Sequence, residues 1–187
     1  MVAEVNRSAA RVDNSSMPTA TTTVDHGDLP QLTSAVVTDA VTLLPTRATL
    51  LDHLAERSPS SDVAPAALVL VGLLHRDTGW PMPGSHLDRV AGALSADLRS
   101  DDWIARSGPT EFAVVLNGAA PDAETAANRL IRTVLGVEIP GLTACAGIAG
   151  LSPDTSASEV HRRATLCLAT ARSVGSGQVI RYSGTRH

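Results

Sequence analysis

The run Ala66-Ala67-Leu68-Val69-Leu70-Val71-Gly72-Leu73-Leu74 leaves the chain little choice about its centre. It is continuously apolar, has strand rather than helix length, and follows Pro65. An apolar run without alternation reads as a strand covered on both faces, so other elements must lie above and below it.

The flanking patterns supply them. Asp39-Ala40-Val41-Thr42-Leu43-Leu44-Pro45-Thr46-Arg47 leads into a helix with Thr46 as its N-cap. Leu50, Leu51 and Leu54 give that helix one apolar stripe, and Ser58-Pro59-Ser60-Ser61-Asp62 ends it as a loop. After the central run, His75 to Gly84 carries two Pro and two Gly and is expected to be a loop. From Leu87, apolar residues recur at Val90, Ala91, Leu94 and Leu98, which is helical spacing. Pro121-Asp122 opens a helix with Ala123, Ala126, Ala127, Leu130, Ile131 and Val134 on one face. Leu142 to Ala149 reads as a strand. Ser156-Ala157-Ser158-Glu159 has capping-box spacing, and the helix behind it buries Val160, Ala164, Cys167, Leu168 and Ala171 before Gly175 closes it. Gln178 to Tyr182 is a last strand.

Between the second and third helices, Trp103-Ile104-Ala105 and Ala113-Val114-Val115-Leu116 flank a Gly108-Pro109 turn, which predicts a hairpin. The order is then helix, strand, helix, hairpin, helix, strand, helix, strand. This predicts an α+β fold of the split-βαβ type, a central β-sheet flanked by helices around a ferredoxin-like core. Residues 1–33 are rich in Ser, Thr, Ala and Asp without hydrophobic period. They are expected to be a disordered tail, too short to be a folded sensory domain. One domain is expected over residues 34–183, with residues 184–187 as a C-terminal tail.

Composition excludes several classes. The chain has 187 residues, 43% hydrophobic but only 2% aromatic, so its core must be built from Ala, Val, Leu and Ile. A formal net charge of −4 argues against a nucleic-acid partner, although all 15 basic residues are Arg. No apolar run is long enough to span a bilayer, and no signal peptide is evident, so a cytoplasmic protein without membrane attachment is expected. Cys145 and Cys167 sit in apolar stretches and are read as buried thiols. His53, His75, His86 and His161 lack metal-ligand spacing.

The hairpin sequence Arg106-Ser107-Gly108-Pro109-Thr110-Glu111-Phe112 resembles the Arg-x-Gly-Gly-Asp-Glu-Phe signature of GGDEF-domain diguanylate cyclases. Four further segments match that family in order. Asp39 to Arg47 resembles its Asp-x-Leu-Thr-Gly-Leu-Pro-Asn-Arg opening, and Leu87 to Leu94 its second helix. Thr143 to Ala149 resembles its Thr-Val-Ser-Ile-Gly-Ile-Ala strand, and Ala164 to Arg172 its Ala-Asp-x-Ala-Leu-Tyr-x-Ala-Lys helix. The resemblance implies a nucleotidyl-cyclase-like sheet over about Asp39 to Tyr182.

It also implies a reaction, the joining of two GTP molecules with Mg²⁺ held by carboxylates, because a triphosphate repels an oxygen nucleophile until its charge is offset. The family's carboxylates lie at the end of the first strand and at the third signature letter. Here those positions are Gly72 (or its neighbours Leu73 and Leu74) and Thr110. Pro109 replaces the second signature Gly, fixing φ and removing an N–H donor. Glu111 and Phe112 are retained, and Asp77 is isolated in a turn sequence. The family's guanine-reading Asn-Asp and its Phe-Lys pair have no match in His75 to Gly84; Arg172 could replace its later phosphate-contacting Lys. The signature Gly108, Pro109, Thr110, Glu111, Phe112 is thus degenerate, with no catalytic or metal residues expected.

Arg99-Ser100-Asp101-Asp102 supplies the Arg-x-x-Asp that the family uses as a product-binding inhibitory site. A planar guanidinium can clamp a phosphate or guanine edge, and a carboxylate can accept from guanine N–H groups. The plainer reading is an Arg at a helix C-terminus followed by a turn Asp. Arg129 or Arg132 could add a phosphate contact, or could simply face solvent. The expectation is a catalytically inactive GGDEF-like regulatory module binding cyclic di-GMP through Arg99 and Asp102. The alternatives are a scaffold that pairs with another GGDEF or signalling protein, and an active cyclase with relocated ligands, binding GTP and Mg²⁺.

Overall fold

The central apolar run forms β1 (Ala66–His75), whose first eight residues are all buried. The computed structural model describes residues 36–57, 65–75 and 81–184. The expected tail 1–33, the loop 58–62, Asp77 and the last three residues of the chain lie outside them.

β1 pairs antiparallel with β3 (Glu111–Asn117) on one side and with β4 (Leu142–Gly150) on the other. The sheet is completed by β2 (Trp103–Gly108), antiparallel to β3, and by β5 (Val179–Arg181), parallel to β4. Its strand order is β2-β3-β1-β4-β5. The helices among the described residues are α1 (Arg47–Glu56), α2 (Gly84–Asp97), α3 (Ala120–Gly136) and α4 (Ala157–Val174). The first four strands with α2 and α3 form the split-βαβ core, as the order of sequence patterns predicts.

Strand alternation divides the interior into two layers. Val69, Val71 and Leu73 join Phe112, Val114 and Ile148 beneath α2 and α3. Leu68 and Leu70 join Ala113, Val115 and Cys145 beneath α1 and α4. Phe112, the only Phe in the chain, is fully buried; burial of such a ring contributes about 2 kcal/mol. With so few aromatics, close backbone approach does much of the packing. A Cβ at Gly147 would lie 2.3 Å from both Ala164 O and Leu168 N, so α4 rests directly on the β4 backbone. On α1, His53 stacks on Trp103 of β2 with ring centroids 4.3 Å apart.

Several local details differ from expectation. His75 ends β1 and Gly84 begins α2 behind Pro83, so the connection between them is shorter than the Pro/Gly pattern suggests. The last strand is confined to Val179–Arg181. Thr46 occupies the N-cap of α1, yet its hydroxyl makes no cap hydrogen bond and is buried without a partner. Ser156 does cap α4, accepting from the Glu159 N–H, and Gly175 closes that helix at φ 140°.

Two glycines test the packing. Gly147→Ala is expected to cost about 3 kcal/mol, because helix backbone must move to admit the methyl group. Gly92→Ala on the exposed side of α2, where nothing lies within 4 Å, should instead add up to about 1 kcal/mol through helix propensity. Urea denaturation of both variants checks the contrast.

Candidate functional site

The β2–β3 hairpin turns at Pro109-Thr110, one residue later than the Gly-Pro pair suggests, with Gly108 still paired to Glu111. Arg106 determines how this turn is held. Its guanidinium donates to the carbonyl oxygens of Gly108 and Pro109 and to Asp39 Oδ1 at 2.6 Å. That same Asp39 oxygen accepts from the N–H groups of Val41 and Thr42 and from the Thr42 hydroxyl. The opening motif and the signature are therefore one structure, and Arg106 N–H donating to Pro45 O joins them again through the backbone. Partial burial disfavours the charged Asp39 carboxylate. The Thr42 N–H, the Arg106 guanidinium and the Thr42 hydroxyl outweigh it and hold the carboxyl at about 2 instead of 3.8.

Behind the turn, the strand register sets Gly72 of β1 opposite Glu111 of β3 on one side and Cys145 of β4 on the other. The Thr110 carbonyl accepts from the Leu73 N–H at 2.9 Å. Glu111, which in a hairpin would ordinarily be solvated, is ion-paired: Arg172 Nη1 donates to Glu111 Oε1 at 2.8 Å. The same guanidinium lies over Gly72. A Cβ there would stand 2.8 Å from Arg172 Nη2 and 3.0 Å from Nε. Of the positions at which the family resemblance implies metal carboxylates, 72 and 110 carry none, and the neighbouring Glu111 is engaged by a cation. These residues do not fit a divalent metal. Among the described residues no group of three or more His, Cys, Asp or Glu forms a metal cluster elsewhere.

At the far end of β3 the structure brings Arg99 and Asp102 together with Arg129 and Arg132 around a cavity of about 210 Å³, also lined by Asn117, Asp122 and Thr125. The loop that carries the first two is pinned. Arg99 N–H donates to Asp102 Oδ2, and Asp102 N–H donates to Arg99 O. Asn117 Nδ2 holds the Asp101 carbonyl and carboxylate at 3.0 Å, while Arg57 donates to Asn117 Oδ1. The Asn117 hydrogen bond is also the chief reason the exposed Asp101 carboxyl lies below its ordinary value. Arg129 is steadied by Asp97, which also accepts from the Thr133 hydroxyl. Arg99 and Arg132 have no ion-pair partner among the described residues. A helix face that periodicity leaves to solvent thus contributes Arg129 and Arg132 to the cavity beside the Arg-x-x-Asp loop.

Three features escape a linear reading: the Asp39–Arg106 pair, the Arg57–Asn117–Asp101 chain and the Arg172–Glu111 pair. The first and third join motifs that are individually recognisable but lie 67 and 61 residues apart. One signal for the third is present in the sequence, since an isolated Gly inside a strand pattern marks close approach of another group. The Asn117 chain has no such signal.

The Asp39 carboxyl yields a pH prediction. Its folded-state value lies below the unfolded one, so its stabilisation is present above about pH 4 and lost as pH falls toward about 2. Asp39→Asn is expected to cost about 1 kcal/mol at neutral pH, discounted for its partial exposure, and to flatten the acid limb of the stability profile. Urea denaturation between pH 2 and 7 measures both.

Comparison with known proteins places these arrangements in context. The family model described as "Diguanylate cyclase, GGDEF domain" matches residues 36–178, well over half of the chain. No curated protein matches the sequence. Among solved structures, the GGDEF domain of FimX from Pseudomonas aeruginosa is 26% identical, with a TM-score of 0.62 over 78% of this chain and 98% of that one. The diguanylate cyclase SiaD from the same organism, solved with its activator SiaC, is 24% identical with a TM-score of 0.67. That match covers 79% of this chain but 62% of the SiaD chain. The GGDEF domain of DgcB from Caulobacter crescentus, solved with c-di-GMP, has a TM-score of 0.66 at 21% identity, over 79% of this chain and 95% of that one. Among the described residues no helix is long and apolar enough to cross a membrane. The matched family model, the five-stranded sheet and the position of the Arg106–Phe112 hairpin lead to one conclusion: the chain belongs to the GGDEF domain family.

Proposed function

We propose that this chain is a GGDEF domain that has given up GTP condensation and acts as a regulatory module, binding cyclic di-GMP at Arg99 and Asp102. One observation carries the binding half. Arg99 and Asp102, on a loop fixed by its own hydrogen bonds, line one cavity together with Arg129 and Arg132 of α3. Guanidinium groups suit the two phosphates and the Hoogsteen edges of a guanine, and the carboxylate suits guanine N–H donors. The loss of chemistry rests on the other end of β3, where Gly72 and Thr110 provide no carboxylate and Arg172 engages Glu111. The DgcB structure solved with c-di-GMP makes this ligand a natural first probe.

A second reading is a docking module that works on another signalling protein without nucleotide. Val36, Val37, Val41 and Leu43 favour it, being 43–74% exposed on the segment that Arg106 ties to the hairpin. Capture of a cyclase or another signalling protein by Val37→Asp as well as by the unchanged chain would count against that surface.

Calorimetry with cyclic di-GMP is expected to give micromolar or tighter binding. Arg99→Ala should weaken it by about tenfold or more, the loss of a charge-assisted pair of hydrogen bonds, and Arg132→Ala should weaken it less. Incubation with GTP and either Mg²⁺ or Mn²⁺ should yield no cyclic dinucleotide. Absence of binding heat would reject the ligand, and product formation would reject the loss of chemistry.

A further inference from the structure

The polar cluster behind the hairpin is not an emptied metal site. Gly72, where the family resemblance implies a carboxylate, has no side chain, and the space is filled: Arg172 Nη2 and Nε stand 2.8 and 3.0 Å from where its Cβ would be. Nη1 of the same guanidinium reaches Glu111 Oε1 at 2.8 Å. Leu168, one helical turn earlier on α4, closes the other side, with Cδ1 at 2.8 Å from that Cβ position. Gly72 and Glu111 are cross-strand partners, so one guanidinium spans both strands at the same level of the sheet.

We propose that Arg172 is a protein-borne cation that replaces the divalent metal implied by the family, and that Gly72 is the substitution that makes room for it. The two positions form a coupled pair. A side chain at 72 would press on the ends of Arg172 and Leu168, so the guanidinium must shift to admit it, and a carboxylate there would share with Glu111 the one cation. Glu111 keeps a positive partner at all times, since a guanidinium stays charged throughout the accessible pH range and needs no metal supply. Position also favours the arrangement: Arg172 lies in the last turn of α4, where the helix dipole stabilises positive charge. The hairpin is therefore braced to α4 by a fixed cation. This deepens the reading of the chain as a GGDEF domain without cyclase chemistry, but it is independent of whether cyclic di-GMP binds.

The test is a Mn²⁺ titration, followed by electron paramagnetic resonance, of the unchanged chain, Gly72→Asp and Gly72→Asp/Arg172→Ala. The unchanged chain and Gly72→Asp should bind Mn²⁺ only weakly, Gly72→Asp because Arg172 neutralises the new carboxylate. The double variant presents two carboxylates on neighbouring strands and should bind about tenfold tighter or better. Equal Mn²⁺ affinity of Gly72→Asp and the double variant would overturn the proposal, as would a folded double variant that gains no affinity. If that variant does not fold, thermal melts of Arg172→Ala, Glu111→Gln and their combination decide. Arg172→Ala should melt lower than the unchanged chain, and adding Glu111→Gln should recover part of the loss, because no unpaired carboxylate then remains. An Arg172→Ala melt equal to that of the unchanged chain would overturn the idea. Cyclic di-GMP calorimetry on the same proteins reports the Arg99 site separately, so either reading can fail alone.

Discussion

Everything in this fold follows from the enclosure of β1 between two helical layers. A strand buried on both faces admits no polar side chain without a partner, since an unmet hydrogen-bonding group there costs a few kcal/mol. Polar chemistry is thereby expelled to the sheet's margins. In β1 only Leu74 and His75 emerge from full burial, and on β3 the side chains at each end, Glu111 and Asn117, do so. Two polar assemblies form at those ends: the Arg172–Glu111 pair at one and the Arg99 cavity at the other. They are joined by a single rigid strand roughly 20 Å long.

That division explains how the two ends could change independently. The interior of β3, Phe112 to Leu116, is buried and carries the fold. Its terminal residues answer to different neighbours: Glu111 to β1 and α4, Asn117 to α1 and the loop before β2. The turn at Pro109 and Thr110 is held by Arg106 and Leu73, and Asn117 by Arg57 and Asp101, so the two ends share no side-chain partner among these contacts. Arg106, meanwhile, holds the altered turn through backbone carbonyls, contacts that are indifferent to which side chains the turn presents.

The fold was largely legible in the sequence because each element carries its own local mark. The unbroken run in β1, the helical period after Leu87 and the Ser156–Glu159 cap all survive without knowledge of their neighbours. Boundaries were less legible, since Pro and Gly mark a turn but not where it starts; the Gly84 beginning of α2 is the example. The candidate site was legible in its letters and not in its pairings. Nothing local says that Asp39 accepts from Arg106, or that Arg172 turns back to Glu111 and not outward to solvent. Such contacts depend on the register between β1 and β3 and on how closely α4 approaches the sheet. That approach is itself set by Gly147, a residue whose importance lies in what it lacks.

The bare position at Gly72 bears on how the two strands respond to substitution. A carboxylate could be placed there by one substitution. The space is occupied by an arginine from another element, so the guanidinium would have to shift, and two carboxylates would then share one cation. Removal of Arg172 instead leaves the half-buried Glu111 without its counter-charge. One guanidinium thus serves two strands, and a change at either position is felt at the other.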